Sequence, residues 1–160
     1  MTAVTLDADG NGVPDYAGQD FEGVSFTYRA LGLYQPTVTV VAADGTTYTD
    51  STLVRVYTSQ ELDLLLKPKW EALKNALRAG SVANAMKQVL IGRRARYTTV
   101  LQSLTIPLSG IDSELTTLTF DQQIGRNVTY QMLRVENGTT YSYPVVFTLD
   151  DDGIWRLGAF

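Results

Sequence analysis

The chain has 160 residues, 44% of them hydrophobic, a formal charge of −4, and neither cysteine nor histidine. That hydrophobic share is ordinary for a globular chain and sets disorder aside, while the acidic balance argues against a nucleic-acid or anionic-membrane partner, which would need a basic face. Without cysteine there are no disulfides, thiolate metal sites or cysteine nucleophiles, and without histidine there is no Ser-His-Asp chemistry, no imidazole zinc site and no usual neutral-pH general base.

No run approaches the ~20 apolar residues of a membrane span. Met1-Thr2-Ala3-Val4 leads straight into a strand-like run with no leader visible. We therefore expect either a cytosolic protein or a piece cut from a longer chain, and favour the second. Val4 and Leu6 begin an alternation, followed by a polar loop from Asp7 to Asp20. Val24, Phe26 and Tyr28 form the next period-two run, Thr37 to Val41 another. Asp44-Gly45 is a hairpin signal, and Thr46 to Tyr57 is the return strand, with Tyr48, Leu53, Val54 and Val56. About four strands joined by turns suggest part of a β-sandwich.

Within the polar loop, Asp7, Asp9, Asn11 and Asp15, with the Val13 carbonyl, follow the start of a calcium-binding loop. Ca²⁺ takes hard oxygen ligands at alternate positions, and Gly12 allows the sharp turn. The closing bidentate glutamate is missing, because position twelve of the loop is Gly18; Asp20 or Glu22 would substitute only on a different loop path. The expected cofactor is thus a weakly held Ca²⁺. The alternative is an Asx- and Gly-rich turn whose carboxylates cap backbone amides.

Asp7-Ala8-Asp9-Gly10-Asn11-Gly12, Val24-Ser25-Phe26-Thr27-Tyr28, Gly32 to Val40 and Asp44-Gly45 together resemble the second half of a PKD domain. That family has an immunoglobulin-like sandwich and occurs in secreted and surface multidomain proteins. The resemblance covers roughly residues 4–57. It lacks the family's first two strands, which implies an unpaired sheet edge that something must cover.

Thr58-Ser59-Gln60-Glu61 is a capping box. Leu62, Leu66, Trp70, Leu73 and Leu77 then make one apolar stripe of an amphipathic helix. Pro68 lies inside it and predicts a kink or a restart. Gly80 stops the helix, and Arg78 suits the negative end of its dipole. A second helix is predicted over Val82 to Ile91, and a third over Arg93 to Ser103 with Tyr97, Val100, Leu101 and Leu104 inward. Alternation then returns with Leu115, Leu118 and Phe120, then Val128, Tyr130, Met132 and Leu133. Asn137-Gly138 is a type I′ hairpin signal, and Tyr141, Tyr143, Val145, Phe147 and Leu149 pair back across it. Asp151-Asp152-Gly153 turns into Ile154, Trp155, Leu157 and Phe160. Helices followed by an antiparallel meander indicate an α+β domain.

Leu66 to Leu73 (with Pro68 and Trp70), Ala79-Gly80-Ser81-Val82-Ala83-Asn84-Ala85, Arg94-Ala95-Arg96-Tyr97 and Asp152-Gly153-Ile154-Trp155-Arg156-Leu157 resemble an NTF2-like (cystatin-like, SnoaL-type) domain. Ser81 stands where the family's helix-joining turn usually carries Asp. The resemblance covers about residues 58–160 and implies three helices on a curved antiparallel sheet, with a pocket between them. These are packing motifs, and they speak to fold rather than activity.

Enzymatic members of such a fold would need a buried carboxylate base and an oxyanion donor. Asp112, Asp121, Tyr97 and Tyr130 are the residues to name, although Asp112 reads as a loop or strand-start cap and Asp121 as a turn residue. There is neither a nucleophile–base pair nor a metal cluster of catalytic type. Nine tyrosines could line a carbohydrate- or peptide-binding surface, or simply suit half-buried strands. Arg93-Arg94-Ala95-Arg96 reads as a solvated helix start, with Arg94 or Arg96 placed to pair with an acid on the sheet. Asn127-Val128-Thr129 and Asn137-Gly138-Thr139 are sequons in form, and Asp150-Asp151-Asp152 reads as a solvated turn.

The expectation is an α+β chain: a partial PKD/Ig-like β-sandwich over 1–57, then an NTF2-like domain over 58–160. Its expected role is a non-catalytic binding or structural module of a larger secreted or cell-surface bacterial protein. Its partners would be an unknown protein or carbohydrate and the neighbouring domains of the parent chain, with no nucleic acid and no membrane insertion. The alternative is an NTF2-like small-molecule enzyme of isomerase or hydrolase type using a pocket carboxylate.

Overall fold

A computed structural model describes residues 3–104 and 107–160; Met1 and Thr2, with which the strand-like start begins, lie outside the described residues. The chain divides into two units, Met1–Thr58 and Ser59–Phe160, each with its own internal packing. Both contain open antiparallel sheets and the second adds helices, so the class is α+β.

In the first unit the alternating runs become β1 (Ala3–Asp7), β2 (Tyr16–Gly18), β3 (Gly32–Tyr34), β4 (Thr37–Val41), β5 (Thr47–Ser51) and β6 (Val54–Val56). Four of them form one sheet in the order β2-β1-β4-β5, while β3 pairs with β6 apart from it. The Asp44-Gly45 signal is met: the Ala42 amide bonds the Thr46 carbonyl, and Asp44 Oδ1 accepts from the Thr46 amide.

Three expectations need correction here. The polar loop contains a strand, β2, in register with β1 from Val4↔Gly18 to Leu6↔Tyr16. Val24–Tyr28, predicted as a strand, is irregular. Its aromatic residues spend themselves on side-chain contacts: the Tyr28 hydroxyl donates to the Ala8 carbonyl at 2.7 Å, and its ring packs against Phe26 and Tyr34. The return strand, predicted as one run, is two. The Thr52 amide bonds the Pro36 carbonyl, and beyond it the chain leaves β4 to pair with β3.

The second unit begins with α1 (Ser59–Arg78), whose buried residues include the predicted stripe Leu62, Leu66, Trp70, Leu73 and Leu77. The helix runs through Pro68 without a restart. Pro68 and Leu64, the residue whose carbonyl loses its partner, are both exposed, so water can satisfy that carbonyl and the proline costs little there. At the other end the Gly80 amide bonds the Leu77 carbonyl and the Ser81 amide reaches back to Ala76. This paired arrangement of backbone bonds closes many helices at glycine.

The second predicted helix is much shorter. Ser81 caps α2 (Val82–Ala85), a 3₁₀ turn covers Met86–Gln88, and Val89 is already extended. Val89 bridges Leu157 in parallel, and the Leu90 amide bonds the Leu157 carbonyl at 2.9 Å. That long-range strand contact overrides local helix preference. A further 3₁₀ turn (Ile91–Arg93) leads into α3 (Arg94–Gln102), and a third (Leu108–Ser113) leads toward the sheet.

The sheet is a meander of β7 (Leu118–Ile124), β8 (Asn127–Glu136), β9 (Thr139–Leu149) and β10 (Trp155–Ala159), in the order β10-β9-β8-β7. Asn137 and Gly138 both take positive φ, 51° and 80°, as a two-residue type I′ turn demands. That turn fixes ten successive β8–β9 pairs, from Asn127↔Thr148 to Glu136↔Thr139. Side chains alternate across the sheet, so Val128, Tyr130 and Met132 share one buried face, with Phe147 and Val145 opposite the first two. The other sheet strands add Leu118, Trp155 and Leu157 to the buried set.

Trp70, midway along α1, is 1% exposed. Its indole N–H donates to the Thr116 carbonyl at 2.8 Å, and its ring meets Phe160 edge-on. Trp155 is buried as well. No helix among the described residues is long and apolar enough to cross a membrane.

Trp155→Ala removes a buried indole from this core and is expected to cost about 3–5 kcal/mol. Thermal or denaturant unfolding of the second unit would read it, and an unchanged midpoint would show that the indole contributes nothing to the core.

Candidate functional site

Two places in the chain gather groups capable of chemistry. In the first unit, the loop after β1 brings the carboxylates of Asp7, Asp9 and Asp15 within 4.8 Å of one another. Oxygens sharing one Ca²⁺ at about 2.4 Å lie at most about 4.8 Å apart, so the spacing fits a common ion. The loop is also held by its own amides. Asp7 accepts from the amides of Gly10, Asn11 and Gly12, Asp9 from that of Asn11, and Asp15 from that of Ala8 at 2.7 Å. Gly10 and Gly12 supply the left-handed backbone, at φ 78° and 87°.

Burial acts to raise the Asp7 carboxyl, but the amides of Gly12, Gly10 and Asn11 outweigh it and hold the group below its ordinary value. Asn11 faces its neighbours: its Oδ1 accepts from the Val13 amide and its Nδ2 donates to Asp9. Val13 follows in the same loop with its side chain exposed. Gly18 lies in β2, so no glutamate closes the loop at that position.

In the second unit a cavity of about 230 Å³ lies among α3, the 108–113 turn and the sheet. It follows from the β8–β9 register. The buried face that starts with Val128, Tyr130 and Met132 continues, two residues at a time, to Arg134 and Glu136. Met132, Arg134 and Tyr143 therefore form one wall. Leu101, Val100 and Leu104 form another, with Ile111, Glu114, Leu115, Tyr97 and Phe160 completing the lining.

The polar part of that wall is a linked group. Arg134 Nη2 sits 2.7 Å from Glu114 Oε2 and 3.3 Å from Glu136 Oε1, and the Tyr143 hydroxyl donates to the same Glu136 oxygen at 2.8 Å. The Arg134 guanidinium lies 5.7 Å from the centroid of the Tyr143 ring. The hydrogen bond to Glu136, then burial, raises the Tyr143 hydroxyl above its ordinary value.

The residues named from sequence as possible catalysts are mostly elsewhere. Tyr97 lines the cavity, but its hydroxyl accepts from the Phe160 amide and donates to the Phe160 carbonyl while its ring stacks on Phe160. Tyr130 is fully buried and donates to Asp63 Oδ1 at 2.9 Å; burial first, then that bond, pushes its hydroxyl far above its ordinary value. Asp121 is no turn residue. It falls where the β7–β8 register shifts, inside the strand, and accepts from Gln131.

Asp112 belongs to an ion cluster that ties the 108–113 turn to the end of α1. Both its oxygens accept from Arg78, and the buried Lys74 lies 2.8 Å away while also reaching Glu71. The bonds from Arg78, then Lys74, hold the Asp112 carboxyl well below the usual carboxylate range.

Arg94, read as placed to pair with a sheet acid, bonds the Val89 carbonyl instead. The turn at Asp150–Asp152 is solvated as read, with Asp151 and Asp152 exposed, but its carboxylates are paired. Arg156 holds Asp150 and Asp152 at 2.7 Å each, and Arg126 reaches Asp151. The polar cavity wall itself escaped the sequence reading. Its signal was Arg134 and Glu136 continuing the period of Tyr130 and Met132.

Comparison with protein families, with curated proteins and with solved structures returns no match for this chain.

The ion cluster gives a pH prediction. A carboxyl depressed on folding stabilises the fold above its unfolded value, and that contribution is lost as pH falls through the folded one. Here the window lies below the ordinary value of 3.8. Wild type is expected to melt above Asp112→Asn near neutrality, with the gap closing on acidification below about pH 4. Melting curves across that range would read it; a gap constant with pH would show that the Asp112 charge does not contribute.

Proposed function

We propose that the chain is a non-catalytic binding or structural module of a larger secreted or cell-surface bacterial protein. In this reading residues 1–57 are a partial PKD/Ig-like sandwich and 58–160 an NTF2-like domain whose cavity receives a small ligand. The observation that carries it is the character of that cavity. It is walled by Val100, Leu101, Leu104, Ile111, Leu115 and Met132, with a few polar groups on one side, the usual make-up of a binding pocket. Its tyrosine hydroxyls are engaged by Phe160 and Glu136, and Asp112, Asp121 and Tyr130 have structural partners.

A titration with toluene tests the binding role. Its entry is expected to shift the Met132 methyl resonance, and Val100→Trp, which fills the cavity from α3, should abolish the shift. No shift at saturating toluene would refute a receptive cavity. The rival reading, a small-molecule enzyme, rests on Glu114 as the pocket carboxylate. Turnover of an ester or an enolisable ketone that disappears in Glu114→Gln would favour it over a binding role.

The second part of the proposal is a weak Ca²⁺ site in the first unit, held by the carboxylates of Asp7, Asp9 and Asp15. The 4.8 Å clustering of the three supports it. Three negative charges so close repel one another unless a cation or amide donors offset them, and the amides already offset part. Extracellular modules of this kind bind at about 10⁻⁴–10⁻³ M. With Ca²⁺ at ten times such a constant, linkage stabilises the bound form by about 1.4 kcal/mol. The expected result is a higher melting temperature with Ca²⁺ than with chelator, and no difference in Asp9→Ala. Equal midpoints for wild type in the two buffers would reduce the loop to a carboxylate-capped turn.

A further inference from the structure

Resting on the cavity of residues 59–160 being a ligand site, we propose that its ligand is a small hydrophobic cation, a protonated amine carried on a single aromatic ring or a short branched hydrocarbon. Size sets the apolar part. An apolar cavity of about 150 Å³ accepts benzene, and drug-sized ligands need about 300 Å³ or more. A space of about 230 Å³ lies between them and suits one ring with a short side chain, packed among Val100, Leu101, Ile111 and Met132.

Charge sets the head group. On the polar side Glu114 and Arg134 line the cavity as an ion pair, and Glu136, outside the lining, adds a second carboxylate to Arg134, so the linked group carries a formal charge of −1. Glu136 also accepts from Tyr143. An anionic ligand would have to draw Arg134 away from a glutamate it already holds at 2.7 Å, leaving that carboxylate without its partner. A neutral hydrocarbon would fill the space and leave the excess negative charge uncompensated. An ammonium brings donors and the missing positive charge together. Glu114, whose side chain is 31% exposed, lines the cavity and is accessible to such a group. A bond between two charged groups is the stronger kind, although partial exposure trims its advantage.

The test uses three probes with closely similar apolar skeletons: phenethylamine, ethylbenzene and 3-phenylpropionate. Each is titrated into the full chain, with the Met132 methyl resonance as reporter. Phenethylamine is expected to bind about tenfold more tightly than ethylbenzene, the worth of roughly one such bond, and 3-phenylpropionate most weakly. Glu114→Gln should remove most of the amine's advantage while leaving ethylbenzene affinity unchanged. Glu136→Gln, which keeps the Tyr143 contact, should reduce the same advantage and serves if the first variant folds poorly.

Equal affinity for the amine and the hydrocarbon, or preference for the carboxylate, would overturn the assignment of a cationic ligand and leave the cavity a binding site. A Met132 resonance that none of the three probes moves would overturn the cavity's binding role, and this assignment with it.

Discussion

In the second unit, one buried hydroxyl settles how helix and sheet meet. Tyr130 stands at the middle of β8, fully enclosed, with Phe120 and Phe147 edge-on to its ring. A phenol so placed has to find a partner, because an unpaired hydroxyl in an apolar interior costs on the order of 1–3 kcal/mol. The partner is Asp63, one residue past the first leucine of the α1 stripe, itself paired with Lys67 a turn later. With the buried stripe and the Trp70–Thr116 bond, this bond helps set the rotation of α1 about its axis and its height above the sheet. A one-residue slip of β8 would send Tyr130 to the outer face and Gln131 inward. Burial, the Tyr130–Asp63 bond and the ten-pair β8–β9 register all select the same arrangement.

The cavity follows from that arrangement. Once Tyr130 is locked beneath α1, the same face of the hairpin continues outward through Met132 to Arg134 and Glu136. Along this line apolar residues give way to charged ones. Where the change falls, α3 and the 108–113 turn stand over the sheet, and the space between them is lined by both kinds of side chain. The first unit shows a parallel logic on a smaller scale. Its strands are short, and the loop between β1 and β2 is held by carboxylates folded back on their own amides.

Much of the second unit was legible from sequence because its signals are local and redundant. The five-residue stripe of α1, the Asn137-Gly138 turn and the alternation of β8 each specify an element without reference to anything distant. What could not be read depends on contacts far along the chain. Val89 lies in a helical pattern yet is extended, because Leu157, nearly seventy positions on, offers it a strand partner. Val24–Tyr28 alternates like a strand, but Tyr28 is claimed by the Ala8 carbonyl. Pro68 predicts a break, and only the exposure of its face shows why none is needed. At the cavity the failure was one of emphasis. Arg134 and Glu136 look like solvated strand residues until Glu114, on a separate element, closes the group.

The bridge from Val89 to Leu157 has a consequence for how this sheet can meet other chains. A meander of four strands ordinarily presents two open edges, each able to recruit a foreign strand. On the β10 side the backbone of Val89 and Leu90 already occupies hydrogen-bonding positions at Leu157. On the β7 side the ladder is interrupted at Asp121, and polar Gln122 and Gln123 follow. One border is thus met at Leu157 by the chain's own backbone, and the other is broken by an irregular acidic residue. Growth by strand addition is disfavoured at those points of both margins.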